Sequence, residues 1–442
     1  MRGSAGPFVF FCYRLDAVKK RLLIAGGLLA ALVVAAVAYL SVDRCGAWPH
    51  KAPALTQVAQ SQGELKVGAA KVALQVPFPT TVGGYGPPRA SVTRALTPLA
   101  ARALVIELGG QRMAVVLLDA LLVPPQLRDA IGEGQKWPTW VVATHTHTGP
   151  SGYDPRLASE LAALGSFSPD AQQVLVTAAR QALEEAHAHV LPARLELGEV
   201  RSQGVSVARS GPDVDRRVTK LRFDAASGPV AQVLILSAHP TLAARKPEGL
   251  HADWPGLLAE RLERDQGPVT LVLQGAGGNA SIDRQLLPTP EAVAEKLEAL
   301  VRALPTAPQA EPLSGAWNEV RVSLPRPDAS RLVPSLLAAA AENALCDDAE
   351  DVVVLHGLRL GEARLLWVPV EPSLPAGLVL EEQARVTRLV SLADGYAGYV
   401  ETTEAARAGT GEAHRQYFPP ALLGELASGA KLVGDALQEP AR

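Results

Sequence analysis

The run Thr144-His145-Thr146-His147-Thr148-Gly149-Pro150 places two imidazoles two residues apart, directly after the apolar stretch 139–143. Read as a strand over 139–145, alternation points His145 and His147 to one face and Thr144 and Thr146 to the other. Gly149-Pro150 then ends the strand, leaving both imidazoles at its C-terminal edge, where open α/β sheets hold their ligands. An inert His-Thr-His-Thr turn is the rival reading, and the pair alone does not decide. His239 gives a second such place, because it closes the apolar run 231–238 and is followed by Pro240-Thr241. A lone histidine there reads as a satisfied structural one. Two strand-terminal histidine sites in one chain shift the balance toward zinc, which favours imidazole. Glu371, after the apolar run 365–370, supplies a carboxylate at the end of a further strand.

Other candidates give way to plainer readings. Cysteine occurs three times, as Cys12, Cys45 and Cys346, and never in a CxxC spacing, so any metal must be held by nitrogen and oxygen. His187 and His189 stand two apart at a helix end and do not share a face; a helix-dipole role fits them better than metal. Asp253 reads equally well as a support behind the site or as the N-cap of a helix at Trp254-Pro255.

The elements that must position these residues alternate between strand and helix. Strand candidates are 103–108, 112–119, 139–145, 218–224, 231–238, 268–274, 352–360 and 363–370, several of them continuous apolar runs suited to strands covered on both faces. Ser168-Pro169-Asp170 and Thr289-Pro290-Glu291 start helices reaching about His187 and Ala303, and another follows Pro419-Pro420 to about Leu437. The expected fold is α/β, with mixed β-sheets flanked by helices in a single large domain over 64–442. The Pro-rich stretch 305–313 is a loop able to divide two lobes, and 41–63 reads as a linker.

The N-terminus carries an uncharged apolar run, 22–40, long enough to cross the ~30 Å hydrocarbon layer as a helix. Arg14, Lys19, Lys20 and Arg21 precede it. This basic flank assigns 1–21 to the cytoplasm and everything after residue 44 to the outside, whether periplasmic or extracellular. A cleaved signal sequence, with Ala36-Val37-Ala38 as its cleavage site, is the alternative; it would release a secreted domain. Either way Cys45 and Cys346 are exported and free to pair, though sequence does not say whether their Cα atoms approach. With 48% apolar and 20% charged residues the chain is globular, and a net charge of −3 gives no footprint for nucleic acid. Oligomeric state is not legible.

An ordered set of motifs resembles the neutral ceramidases. It comprises ATHTHTGPSGY (143–153), SAHPT (237–241), LHADWPG (250–256), LQGAGGNAS (273–281), VPVE (368–371) and DGYAGYVETTE (394–404), after an opening LKVGAAKVALQVPFPTTVGGYG (65–86) and a strand ending at Asp119. The resemblance implies zinc held by His145, His239, Glu371 and Tyr399, with His147 and Arg209 acting on the substrate carbonyl and Ser281 near the scissile amide. It also implies hydrolysis of the amide of an N-acylated lipid such as an N-acyl sphingoid base, where zinc would acidify a water and polarise the carbonyl. Where the family's glycine-rich loop continues with an acidic residue and Ser-Pro-Asn, this chain has Asn279, Ser281 and then Ile282-Asp283-Arg284. A family tyrosine twelve positions after the ligand tyrosine falls at Gly411, and no C-terminal immunoglobulin-like domain is expected within 442 residues. A zinc hydrolase of another amide or ester, and a non-catalytic binding module of the same fold, are the alternatives.

Overall fold

The computed structural model describes residues 8–438 except 44, 244 and 349. Apolar runs in this chain fold as strands buried on both sides. In Ala100–Leu108 the odd residues Ala101, Ala103 and Val105 join one core cluster, while Leu104, Ile106 and Leu108 join another. Gln111–Leu118 repeats the pattern, with Ala114, Val116 and Leu118 on one side and Met113, Val115 and Leu117 on the other. Strand alternation applied to a continuous apolar run gives this two-sided burial.

Two sheets result. The larger has nine strands, running Val269–Gln274, Gly228–Leu236, Arg217–Ala225, Leu191–Arg201, Leu65–Ala73, Ala100–Leu108, Gln111–Leu118 and Thr139–Ala143, with the short Ala307–Pro308 beside Leu191–Arg201. It is mixed: its two outermost pairs are parallel and the strands between them antiparallel. The smaller has five strands in the order Ala54–Gly63, Leu313–Ser323, Val352–Leu360, Ala363–Trp367 and Arg388–Val390. The sheets share one core, in which Leu104, Val115 and Trp140 meet Leu358, Leu365 and Trp367. Outer layers are helical. Pro169–Ala188 covers one part of the large sheet, Asp253–Leu262 and Pro290–Ala303 another, and Leu374–Ala384 and Leu422–Leu437 cover the small sheet.

All eight apolar runs read as strands are strands, but three stop two or three residues early. The run 139–145 ends at Ala143, 231–238 at Leu236 and 363–370 at Trp367. The residues beyond leave the ladders to build the site. Two expectations need correction. Residues 54–63, inside the presumed linker, form an edge strand paired with Leu313–Ser323 along its whole length. Its half-polar sequence suits an edge, where backbone pairing rather than side-chain burial holds the strand. The stretch 305–313 divides no lobes: Ala307–Pro308 pairs with the large sheet, and the next strand enters the small one, so the chain crosses between layers of one core.

The run 22–40 lies in one long helix, Phe8–Ser41. The side chains of Leu22, Tyr39 and Leu40 are outside the described ones, and among the described residues no helix is long and apolar enough to cross a membrane. The described side chains from Leu23 to Ala38 are exposed. Cys45 and Cys346 form a disulfide, their Cα atoms 5.2 Å apart.

Candidate metal centre

His145, His147 and His239 converge on one point, with one ring nitrogen from each within 4.8 Å of the others. They do not arrive by strand alternation. The backbone turns sharply after Ala143 and His145 adopts φ +69°, the left-handed region that a branched or bulky residue avoids. Backbone bonds from Thr144 to Leu118 and from His145 to Ala120 hold this turn. The threonines fasten the rest of the loop, since Thr146 and Thr148 both donate to the His251 carbonyl, at 2.8 and 3.0 Å. Behind His251, Asp253 is the first residue of its helix, and its carboxylate accepts from the backbone of Ala243 and Trp254. Asp253 is thus a loop organiser as well as a helix start. Asp119, fully buried, accepts from the Ala100 backbone and from Arg102, and serves the core rather than the site.

Each histidine is oriented from behind. Nδ1 of His145 meets the Leu121 carbonyl at 2.7 Å, Nδ1 of His147 that of Gly84 at 2.8 Å, and Nδ1 of His239 that of Ala280 at 3.0 Å. A carbonyl can only accept, so each Nδ1 carries the proton and each Nε2 presents a lone pair to the centre. Gly84 is required here: at φ +123°, a Cβ on it would stand 2.4 Å from the His147 backbone.

Glu371 enters from a two-residue ladder in which it pairs with Tyr399. Its Oε2 lies 3.1 Å from His145 Nε2 and 3.0 Å from His239 Nε2, while Tyr396 donates to its Oε1 at 2.6 Å. The Tyr399 hydroxyl reaches His239 Nε2 at 2.8 Å. Burial works to raise Glu371, but His145 and His239, when they carry the positive charge that a cation would otherwise supply, outweigh it and hold the carboxyl well below its usual range. His147 is driven well below by burial and then by the two neighbouring imidazoles. Burial, followed by Glu371, pushes the Tyr399 phenol up. Among the described residues His145 Nε2, His147 Nε2 and Glu371 Oε2 have no hydrogen-bond partner although all are buried. Lone pairs crowded together in a dry site are costly unless a cation lies among them. Imidazole nitrogens with a carboxylate and a phenol form a donor set that fits a divalent metal such as zinc.

Arg209 stands on the rim. It donates to the Gly278 carbonyl, pairs with Glu412 at 3.4 Å and faces the Tyr399 ring, its guanidinium carbon 5.8 Å from the ring centre. Ser281 sits in the strand Ala280–Ile282, bridged by backbone to His239. The sequence reading assigned no role to Tyr396 or Arg415. Tyr396 is the first tyrosine of Tyr-Ala-Gly-Tyr, and the Arg415 guanidinium carbon lies 5.5 Å from the centre of the Tyr399 ring. At Gly411, where φ is +64°, a Cβ would meet the Glu401 carboxylate at 2.4 Å, so a side chain there would have to displace that carboxylate.

From this centre a cavity of about 570 Å³ runs outward, lined by His145, His147, Glu371 and Tyr399 at its foot and by apolar residues such as Leu122, Leu324, Leu345 and Phe418 along its walls. An apolar group fits such a wall, and a polar group fits its foot.

Residues 76–277 match the family model of neutral/alkaline non-lysosomal ceramidase, N-terminal. The neutral ceramidase of Mycobacterium tuberculosis is 29% identical over 144 residues, 29% of this chain; the matching segment spans 22% of that protein. In fold, the chain is similar to the crystal structure of neutral ceramidase from Pseudomonas aeruginosa, with TM-score 0.70, 18% identity and coverage of 86% of this chain and 76% of the other. A ceramidase complexed with C2 gives TM-score 0.69 at 18% identity, covering 85% and 75%. Residues 76–277 thus match the N-terminal family model of the neutral/alkaline non-lysosomal ceramidases, and the chain shares the fold of the solved neutral ceramidase.

Proposed function

We propose that this protein is a zinc-dependent amidohydrolase that cleaves the amide of an N-acylated lipid, such as an N-acyl sphingoid base. One observation carries the reading: unpartnered lone pairs from His145, His147 and Glu371 meet at the foot of an apolar cavity. His145, His239, Glu371 and Tyr399 hold the metal, and His147 and Arg209 serve the substrate carbonyl. When bound, zinc would act as a Lewis acid and lower the pKa of a water. The chain's own residues do the rest. The carbonyls of Leu121 and Ala280 fix the two ligand imidazoles, Tyr396 aims the Glu371 carboxylate, and the apolar walls exclude bulk water. Arg209, kept at the rim by Gly278 and Glu412, offers a cation to the carbonyl oxygen as it gains charge. The C–N bond breaks, the oxygen of water joins the acyl carbon, and a proton of that water leaves with the amine.

We further propose that the apolar run of the helix Phe8–Ser41 anchors the protein, with the catalytic domain outside the cytoplasm. Its exposed apolar side chains and the basic flank support this, and the Cys45–Cys346 disulfide suits an oxidising compartment. The test is to purify the full chain in detergent, measure its metal content and assay N-acyl sphingoid bases beside simple N-acyl amides and esters. About one zinc per chain, with release of fatty acid from the sphingoid base, is expected. Full metal with turnover only of other amides or esters would replace the lipid substrate, and full metal with no turnover would make the protein a binding module.

A further inference from the structure

The helix Ser335–Asp348 separates the cavity from the segment that follows the N-terminal helix, and its two faces serve different partners. Ala341, Ala344 and Leu345 line the cavity. Leu337 stands one and two turns before Ala341 and Ala344 on the same stripe, and is 51% exposed. Asn343 and Cys346, also one turn apart, face the other way. Asn343 donates to the Val42 carbonyl at 2.7 Å and Cys346 is bonded to Cys45. The fastening extends further. Asp43 accepts two bonds of 2.9 Å from Arg326, and the Trp48 indole donates to the Leu324 carbonyl at 2.8 Å. Leu324 itself lines the cavity. Across the opening, residues 157–164 form a short helical stretch packed against Ser335–Asp348. There Leu161 lines the cavity while 60% exposed, and Leu157, one turn earlier, is 48% exposed.

We propose that Leu157, Leu161 and Leu337 form a lipid-docking rim, and that the strap of residues 42, 43 and 45–48 holds this rim, and the cavity mouth behind it, against the membrane in which the N-terminal helix is anchored. The inference rests on the anchoring proposed above. The occupant is a phospholipid bilayer rather than a second protein, for a reason of continuity. The apolar side chains Leu23 through Val37 are exposed on the helix that the strap extends, so covalent and hydrogen-bonded links join the rim to a surface that is itself apolar and unpartnered among the described residues. Exposed leucines at the rim of a cavity are unfavourable in water and favourable in the interfacial layer of a bilayer. A membrane-held amphiphile then enters the cavity with its tail already out of water.

The test uses the full chain in phosphatidylcholine vesicles whose acyl chains carry bromine about 5–10 Å below the headgroups, the depth that an interfacial apolar face reaches. Leu161→Trp and Leu337→Trp report the rim, and Leu286→Trp, exposed to 61% outside the cavity, is the control. Flotation with the vesicles, and quenching of both rim indoles about twofold or more beyond the control, is the expected result for groups that enter the interface. Adding Cys45→Ser with Cys346→Ser, or reducing the folded probes with dithiothreitol should the double substitution fail to fold, is expected to diminish that quenching while flotation persists. Flotation with rim indoles quenched no more than the control overturns the docking and leaves the anchor standing. Quenching that survives loss of the disulfide overturns the strap's part. Failure to float overturns the anchor and the docking with it. None of these readouts depends on amide hydrolysis, so the enzymatic reading stands or falls separately.

Discussion

Glu371 and Tyr399 are direct partners in a parallel ladder only two residues long. Backbone pairing therefore delivers a carboxylate and a phenol to the same point, and Tyr396, on the approach to the second strand, closes the arrangement by donating to Glu371 Oε1 at 2.6 Å. Removing that hydroxyl should leave the ligands in place but loosen one of them. Tyr396→Phe is expected to weaken zinc affinity or activity by about 10–100-fold, the usual cost of losing a group that orients a ligand. Zinc titration against a competing chelator measures it; unchanged affinity and turnover would deny Tyr396 this role.

His147 converges with the two expected ligands, so its role is open to direct measurement. With His145→Ala or His239→Ala, metal and activity should both vanish. With His147→Ala or Arg209→Ala, metal should stay and turnover fall by about 10²–10³-fold, the scale of one lost oxyanion donor. Metal analysis of the four purified variants distinguishes these outcomes. Loss of zinc in His147→Ala would make His147 a ligand.

Gly278 is packed against the site's own backbone. A Cβ there would lie 2.6 Å from the Glu371 carbonyl oxygen and 2.8 Å from that of Pro372. Neither is a movable side-chain tip. Gly278→Ala is expected to cost about 1–3 kcal/mol, as overpacking does, and to reduce metal binding by displacing Glu371. A thermal melt and a metal assay suffice, and wild-type values in both would show that the loop absorbs the methyl group.

Asp215 ties the two sheets together away from the metal. Arg388 donates to it at 2.7 Å and Arg217 at 2.9 Å, with both Asp215 and Arg388 buried. Burial alone would raise this carboxyl, but Arg388 and then Arg217 hold it below the ordinary range. A depressed carboxyl pKa stabilises the fold fully above the unfolded value of about 3.9, and the gain is lost as pH falls through the folded value. Asp215→Asn should therefore cost about 3–5 kcal/mol at neutral pH, by stranding Arg388, and flatten the acid limb of the stability curve. Chemical denaturation at pH 7 and below pH 4 tests both parts; parallel curves for the two proteins would rule the linkage out.

The disulfide closes a loop with a sequence separation of 301. In the chain-entropy model, a crosslink of this span is worth about 4 kcal/mol or more. Thiol labelling of the denatured chain should find Cys45 and Cys346 protected until reductant is added, and reduction should lower the melting temperature. Free labelling of Cys346 without reductant would exclude the bridge.

The sequence by itself marked eight of the strands and a minority of the helices, and it placed the site residues near the ends of buried runs. These are local matters: apolar runs and alternation mark strands, and Pro, Gly and capping residues mark ends. His145, His239 and Glu371 were legible for that reason, each standing just past a buried run. Tyr399 was legible only through resemblance, because a tyrosine in a short apolar context looks like core. Tertiary structure decided what local pattern does not encode. The turn at His145 and the threonine bonds to His251 bring both imidazoles to one point by a route that strand alternation misdescribed. Residues 54–63 looked like a linker because their pairing partner, Leu313–Ser323, lies far along the chain. Tyr396, Arg415 and the wall formed by Ser335–Asp348 acquire their places only when distant segments pack. Spacing along one chain fixes which elements form; which of them meet depends on long-range pairing and shared burial, and those are settled only in the folded molecule.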